Sequence, residues 1–333
     1  MRILGPAPFR APGRAFLLAA GLVFACSLGA EEFVWKHAAG DRYRIISTVH
    51  EDIYIDGEFS HHAEILNRIA STVESLDGDR ARHRAVFLTA EEAVFDSAPA
   101  GGAPFTWSRE YASVFERDRR GRLTIGDEYF MPVVRDVPVF PEGDLQPGDT
   151  WTAPGHEAHD FRDSFHIAAP YKIPFTAHYR YLEMREWRGR PYPVIAVSYE
   201  IDHEAGIQPG RLLPRRIRGR SEELIFWDWD LGQAAYYTET FSMDIELSDG
   251  TVFTFSGTAE AELAESPDMD REGMAAEIAG ELSGLGAEVA VSGDGVTITL
   301  EDIQFASESA ELLPPEREKL DRIAAVLRRR PER

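Results

Sequence analysis

The sequence predicts an α+β protein in which a mainly antiparallel β domain, either a sandwich or an open barrel, precedes a smaller β/α unit. Three observations lead to this class. Apolar and polar residues alternate through residues 31–265, tight-turn sequences separate the alternating runs, and helical periodicity dominates residues 266–333. No fixed-period repeat is present, which disfavours a propeller or a solenoid.

The composition is that of a globular chain long enough for two domains. Its 333 residues are 44% hydrophobic and 28% charged, with a formal net charge of −22 at pH 7. This acidity argues against nucleic acid as a partner, because nucleic-acid binding depends on clustered lysine and arginine. The only cysteine is Cys26, so the mature chain has no internal disulfide, cysteine-ligated metal or cysteine nucleophile.

Residues 1–30 are predicted to be a signal peptide. Arginines precede an apolar run, residues 15–25, that is too short for a transmembrane helix. We therefore expect export, and no transmembrane span in the mature chain. Two kinds of processing stay open, namely simple cleavage near residue 30 and lipoprotein processing at Cys26, which would leave a lipid-bearing N-terminus.

The β domain, residues 31–265, is predicted from alternation between turns. For example, Phe241, Met243 and Ile245 alternate with polar residues before a turn at Asp249, and a second alternating run follows, as in a β-hairpin. The predicted strands are residues 42–55, 85–89, 108–117, 123–125, 175–187, 192–201, 221–229, 233–247 and 251–263.

One helix is predicted within the β domain. Ser60 can act as an N-cap, and Ile65, Ile69, Val73 and Leu76 then recur at helical spacing. We expect these four apolar residues to line the buried face of a helix that ends at the following Asp-Gly turn.

A proline-rich connection with little strand is predicted for residues 130–171. It holds four candidate metal ligands, His156, His159, Asp160 and His166, because imidazole and carboxylate groups bind zinc and similar metals. The spacing of the first two histidines is not that of a zinc peptidase, and the flanking prolines favour a loop. The favoured interpretation is a polar loop satisfied by local backbone and arginine, with no metal and no other cofactor.

No catalytic constellation is predicted. No serine lies in the glycine-flanked turn of an α/β-hydrolase. Asp244 and Glu246, like Glu260 and Glu262, share one strand face, but such pairs are typical of the solvent face of a sheet. We therefore predict that the protein is not an enzyme.

Aromatic residues are concentrated in the last predicted strands of the β domain. They could wall a ligand pocket or a sugar-stacking face, but the core is the favoured interpretation, because aromatic side chains supply much of the buried area of a β domain. The residues are Trp227, Trp229, Tyr236, Tyr237, Phe241, Phe253 and Phe255.

The pattern changes after residue 265. Apolar residues recur at helical spacing from Met274 to Leu282 and again from Leu320 to Leu327, and an alternating hairpin centred near residue 294 lies between these runs. A hairpin and two helices bury little apolar surface by themselves. We therefore expect residues 266–333 to be the incomplete beginning of a second domain.

The last of these residues resemble a known family. The run from Val296 to Arg333 contains a strand, then Ile303-Gln304-Phe305, then Ser309-Ala310-Glu311-Leu312, and then a helix that ends at Pro331. This order resembles the opening of an OmpA-like C-terminal domain, a periplasmic β/α fold that binds peptidoglycan. The family's ligand residues would follow Arg333, so none is carried over, and peptidoglycan is an implied partner only of a completed domain.

Together, these features predict an exported cell-envelope protein of the OmpA-like family, periplasmic or associated with the outer membrane, with a structural or binding role. The alternative is a periplasmic carrier or sensor of a small ligand or glycan held in the β domain. A third hypothesis is a metal-dependent hydrolase built on the histidines of residues 156–166.

Overall fold

The computed structural model describes residues 31–94, 109–205, 211–292, 295–300, 303–305 and 312–328. Its strands are β1 (Glu31–Glu32), β2 (Arg42–Ile55), β3 (Glu58–Asp77), β4 (Arg80–Val94), β5 (Arg109–Asp118), β6 (Leu123–Ile125), β7 (Val134–Arg135), β8 (Asp144–Leu145), β9 (Thr150–His159), β10 (Tyr171–Trp187), β11 (Arg190–Glu204), β12 (Pro214–Asp228), β13 (Gln233–Leu247), β14 (Val252–Glu265), β15 (Ala287–Ser292) and β16 (Gly295–Leu300). Its helices are α1 (Arg162–Phe165), α2 (Arg271–Glu281) and α3 (Pro314–Arg328).

One antiparallel sheet of twelve strands organises the protein, in the order β6-β5-β4-β3-β2-β14-β13-β12-β11-β10-β9-β7. Chain neighbours pair as hairpins, and β14 pairs with β2 over most of their length. The sheet curls into a nearly closed barrel whose two edges, β6 and β7, remain unjoined. This topology follows from the alternating runs and tight turns of the sequence.

Every second residue of a strand points to the inner face of the sheet, and mainly apolar side chains occupy these positions. In β10, Ile173, Phe175, Ala177, Tyr179 and Tyr181 are buried and alternate with exposed or half-buried residues. Each of these residues belongs to the main apolar core.

Five of the seven aromatic residues predicted in the last strands belong to this core or pack against it, namely Trp227, Trp229, Tyr237, Phe253 and Phe255. Trp227 is completely buried, and its ring lies 4.7 Å from that of Phe140 and 5.0 Å from that of Trp35. Phe33, from the segment before β2, packs between Phe140 and Tyr181. These rings pack against one another and form part of the core.

The predicted α+β class was wrong. Strand accounts for 62% of the structure and helix for 11%, and the residues described after the sheet form no separate β/α module. The predicted helix–hairpin–helix pattern is present as α2, β15–β16 and α3, which share a small cluster around Ile278, Leu282 and Ile323. Hydrophobic periodicity predicts individual helices and strands. The fold class depends instead on what fraction of the chain belongs to the large sheet, and the sequence analysis predicted too small a fraction.

The predicted helix after Ser60 was also wrong, because these residues form β3. Ile65, Ile69 and Val73 are four residues apart, and a spacing of four fits a strand of period two as well as a helix. The abundance of β-branched residues in this stretch favours the strand.

The predicted loop at residues 130–171 contains β7, β8, β9 and α1. Strand β9 pairs with β10 through ten register positions although it contains Pro154 and Gly155. The amide of Ala158 donates to Val133 O, on the side away from β10. Pro154 has the same parity, so its missing N–H would also point away from β10, which makes the proline compatible with an edge strand.

No helix among the described residues is both long enough and apolar enough to cross a membrane.

Candidate ligand site at the seam of the sheet

A cleft of about 430 Å³ lies between the two unjoined edges of the sheet. We call this cleft the seam cleft. Its volume is within the usual range of small-molecule sites. Strand β7 covers β9 only at Glu157 and His156, so the earlier residues of β9 are free to line the cleft. The lining residues are Arg80, Glu116, Asp118, Arg122, Leu123, Thr124, Asp136, Val139, Phe140, Pro141, Trp151, Thr152, Ala153, Pro154, Gly155 and His156.

The segment between β6 and β8 connects the two edges. Ser113 Oγ of β5 donates to Met131 O at 2.7 Å, and the Leu123 amide of β6 donates to Asp136 Oδ1 at 2.7 Å. The Phe140 amide donates to Arg120 O at 2.9 Å. These bonds hold the edges near one another without a continuous strand ladder, which leaves room for the cleft.

The aromatic part of the seam cleft is held rigidly. Trp151 Nε1 donates to Val139 O at 2.7 Å, and the indole stacks on Tyr179 with 5.1 Å between ring centroids. Phe140 packs against the same indole. A fixed aromatic surface suits the apolar face of a sugar ring or another flat ligand.

Two arginines supply the charged rim of the seam cleft. Arg80 Nη1 lies 3.9 Å from Glu116 Oε2, and Arg122 Nη1 lies 3.6 Å from Asp118 Oδ2. Both arginine side chains are more than half exposed, at 55% and 66%. Ion pairs of exposed arginines at such distances are weak, so the two arginine side chains can be redirected to a polar ligand at low cost.

The structure separates the predicted metal ligands. His156 lines the seam cleft with Nδ1 3.4 Å from Asp136 Oδ2, whereas His159 faces the interior with Nε2 2.6 Å from Glu157 Oε2. Alternate residues of β9 face opposite sides of the sheet, so residues 156 and 159 cannot share a ligand.

The other two candidates have different surroundings. Hydrogen bonds from Arg162 lower the pKa of Asp160 to about 2, and Tyr111 donates to the same carboxylate. His166 follows α1 in a left-handed conformation. Among the described residues, no group of three or more histidine, aspartate, glutamate or cysteine side chains could hold a metal ion. Cys26, the predicted lipidation site, lies outside the described residues.

An acidic cluster, which the sequence did not predict, lies on the inner face of the sheet, with two members buried and the third, Glu239, half-buried. It consists of Glu157, Glu223 and Glu239. Glu223 and Glu239 are direct partners on β12 and β13, where opposed side chains are close neighbours. Tyr199 donates to Glu157 Oε1 at 2.9 Å, and Ser221 donates to Glu239 Oε1 at 2.6 Å.

Burial and mutual repulsion control the protonation of the acidic cluster. Desolvation, followed by the charges of the neighbouring carboxylates, raises the pKa of both Glu223 and Glu239. Glu223 and Glu239 therefore keep their protons to higher pH than an exposed glutamate does. One signal in the sequence was available, since Glu223 falls in phase with Ile225 and Trp227 on the buried face of β12.

No protein-family model matches the chain, and no curated protein matches it. A solved structure from Bacteroides fragilis, described as an exported protein with a YmcC-like fold, is 11% identical and aligns over 72% of this chain and 100% of its own, with a TM-score of 0.32. The hypothetical lipoprotein YmcC of Escherichia coli is 10% identical over 63% of this chain and 85% of its own, with a TM-score of 0.22.

A third similar structure is the CymD monoaromatic hydrocarbon channel, at 6% identity over 68% of this chain and 89% of its own, with a TM-score of 0.23. The similar structures thus include an exported protein, a lipoprotein and a channel. All three TM-scores are below 0.5, and none of these likenesses bears on what this chain binds.

The resemblance of Val296–Arg333 to an OmpA-like domain was wrong. No family model matches the chain, and the described part of this stretch follows a twelve-stranded sheet without forming a separate β/α module. An alternating strand followed by an amphipathic helix is a common arrangement in unrelated folds, so this order of elements is weak evidence of ancestry. The peptidoglycan ligand that the resemblance implied loses its basis with it.

Proposed function

We propose that the protein is an exported cell-envelope protein that binds a small glycan or a similar polar ligand in the seam cleft, without catalysing a reaction. The predicted signal peptide supports export. The seam cleft carries the proposal, because it combines a volume of about 430 Å³ with a fixed indole and a rim of weakly paired charges.

The chemistry of the seam cleft favours a sugar over a strongly charged ligand. Its rim holds both arginines and carboxylates, so donors and acceptors for hydroxyl groups are both present, while no net charge of one sign dominates. Trp151 offers the aromatic face that the apolar side of a pyranose requires. A carrier or a sensor needs this kind of reversible, non-covalent contact.

The test is calorimetric titration of the purified mature protein with a panel of neutral and acidic oligosaccharides. We expect saturable binding of at least one glycan, and an affinity loss of about tenfold for Arg122→Ala, whose side chain contributes to the rim. Arg215→Ala is the matched control, since the Arg215 side chain, like that of Arg122, is more than half exposed, and it pairs with Glu246 outside the seam cleft.

Absence of saturable binding across the panel, or an equal loss in both variants, would contradict the proposal. Chromatography of the glycan after prolonged incubation tests the non-catalytic part, and we expect the bound glycan to be recovered unchanged.

A further inference from the structure

A second polar cluster lies in the interior, on the β4–β5 side of the sheet. It comprises His37, which precedes β2, His83 of β4 and Arg117 of β5, and we call it the basic cluster. The rings of His37 and His83 are 4.7 Å apart and nearly perpendicular. The Arg117 guanidinium lies 4.0 Å above the ring of Trp35.

Each member of the basic cluster has a buried nitrogen atom with no hydrogen-bond partner among the described residues. These atoms are His37 Nε2, His83 Nε2 and Arg117 Nε. Buried polar atoms are nearly always paired, so three unpaired nitrogens in adjacent side chains require an explanation. His83 is itself only 3% exposed.

Each of the three unpaired atoms can donate a hydrogen bond, Arg117 Nε always and each histidine Nε2 in the tautomer whose Nδ1 is the acceptor. The Gln233 amide nitrogen lies 3.4 Å from His37 Nδ1, which makes Nδ1 the acceptor and leaves the proton of the neutral ring on Nε2. Ser71 Oγ lies 3.1 Å from His83 Nδ1, and donation by this hydroxyl leaves the His83 proton on Nε2 in the same way. Arg117 Nε always carries a hydrogen.

The charge of the basic cluster is also uncompensated. No described carboxylate lies within ion-pair distance of Arg117, and Asp136 and Asp118 act on it only at longer range. Burial and the nearby guanidinium lower the pKa of His37 to about 3 and that of His83 to about 2, so both imidazoles remain neutral donors. Three donors around one unpaired cation match the acceptors and the charge of an anion.

We propose that the basic cluster binds a small oxyanion, either a carboxylate or an inorganic phosphate, between Arg117 and the two histidines. This site is separate from the proposed glycan site, because none of its three residues lines the seam cleft. Oxygens of the anion accept from the imidazole N–H groups and from the guanidinium, whose far face is held by the indole of Trp35.

The test uses the mature protein and needs no substitution at first. The imidazole resonances of His37 and His83 are followed by NMR during titration with acetate, with phosphate and with chloride as the salt control. We expect saturable shifts of both rings with acetate or phosphate and no saturable shift with chloride. Shifts with acetate alone identify a carboxylate site, and shifts with phosphate alone identify a phosphate site.

His83→Phe sharpens the test, because it removes the Nε2 donor while keeping a ring to stack on Phe115, which lies 5.0 Å away. We expect about tenfold weaker anion binding for this variant and no change for His178→Phe, an exposed histidine on β10. If neither anion shifts the imidazole resonances of the wild-type protein, buried water satisfies the three donors and the proposal is overturned.

Discussion

The acidic and basic clusters place groups of opposite charge inside the same sheet, and they are stabilised in different ways. Glu223 and Glu239 can take up protons from solvent, and hydroxyl donors satisfy neighbouring carboxylate oxygens. Arg117 keeps its proton at neutral pH, and its charge is met by the rings of Trp35 and Phe115 and, at longer range, by Asp136 and Asp118. A buried acid can neutralise itself, whereas a buried guanidinium needs a partner.

The largest effect that separates the two clusters is expected on acidification. The folded-state pKa values of His37 and His83, about 3 and about 2, lie below the unfolded value, so folding excludes protons from these rings. The contribution of these neutral histidines to the free energy of unfolding is intact above the unfolded pKa of about 6.5. It declines as the pH falls below that value, by up to about 3 kcal/mol per histidine at pH 4.

Urea unfolding between pH 7 and pH 4 measures this decline. His83→Phe should have a shallower pH dependence than the wild-type protein, since one of the two rings no longer titrates. Equal slopes for the two proteins would show that other groups cause the acid sensitivity.

The acidic cluster should respond in the opposite direction. The pKa values of Glu223 and Glu239 are raised in the folded state. Their contribution to the free energy of unfolding is therefore complete below the pKa of an unfolded glutamate, and it declines as the pH rises through the folded-state pKa. Glu223→Gln keeps the shape without the charge. We expect this variant to be more stable than the wild-type protein at pH 8, on the order of 1–2 kcal/mol, with a smaller difference at pH 5.

Thermal unfolding at pH 5 and pH 8 measures both differences. Glu222→Gln is the matched control, because residue 222 is exposed on the opposite face of β12. A Glu223→Gln variant that is equally or less stable at pH 8 would contradict the assigned proton uptake.

A smaller effect is expected from the hydroxyl donors of the acidic cluster. Tyr199→Phe removes the 2.9 Å hydrogen bond to Glu157 Oε1 while the ring keeps its stack on Phe175. We expect a loss of about 1 kcal/mol in the free energy of unfolding, measured in urea at pH 7. Tyr54→Phe, on the outer face of β2, serves as the comparison, and a similar loss there would remove the special role of residue 199.

The smallest effect is expected at a solvent-exposed ion pair, where charge is screened by water. Arg185 Nε lies 3.0 Å from Glu183 Oε1, and both side chains are at least 40% exposed. Arg185→Ala should change the free energy of unfolding by less than about 0.5 kcal/mol at any pH between 5 and 8. A larger, pH-dependent change would contradict the expectation that buried charges affect the free energy of unfolding more than exposed charges do.

The sequence predicted the hairpins of the large sheet well, because alternation and turn residues are local signals. Most of β2 and the β13–β14 hairpin lie where the alternation of Ile53 and of Phe241–Leu247 indicated. Local signals failed where two periods coincide, as in β3, and where Pro154 and Gly155 suggested a loop inside the edge strand β9.

The polar sites depend on distant parts of the chain, which no local pattern reports. His37, His83 and Arg117 come from three separate segments that meet only when the sheet curls. Glu157 lies between His156 and His159 in the sequence, but its hydrogen-bond partner Tyr199 lies 42 residues away. The seam cleft likewise depends on how the two edges of the sheet approach one another, and no local pattern in the sequence reports that arrangement.

The segment that connects β6 to β9 has a mechanical consequence. Strands joined by a full ladder resist being pulled apart at every residue, whereas the two edges here are held by a few separate bonds such as Ser113 Oγ to Met131 O and Leu123 N to Asp136 Oδ1. Because separate hydrogen bonds can break one at a time, we expect local opening of the sheet to begin along this line, while the strands joined by full ladders keep their pairing.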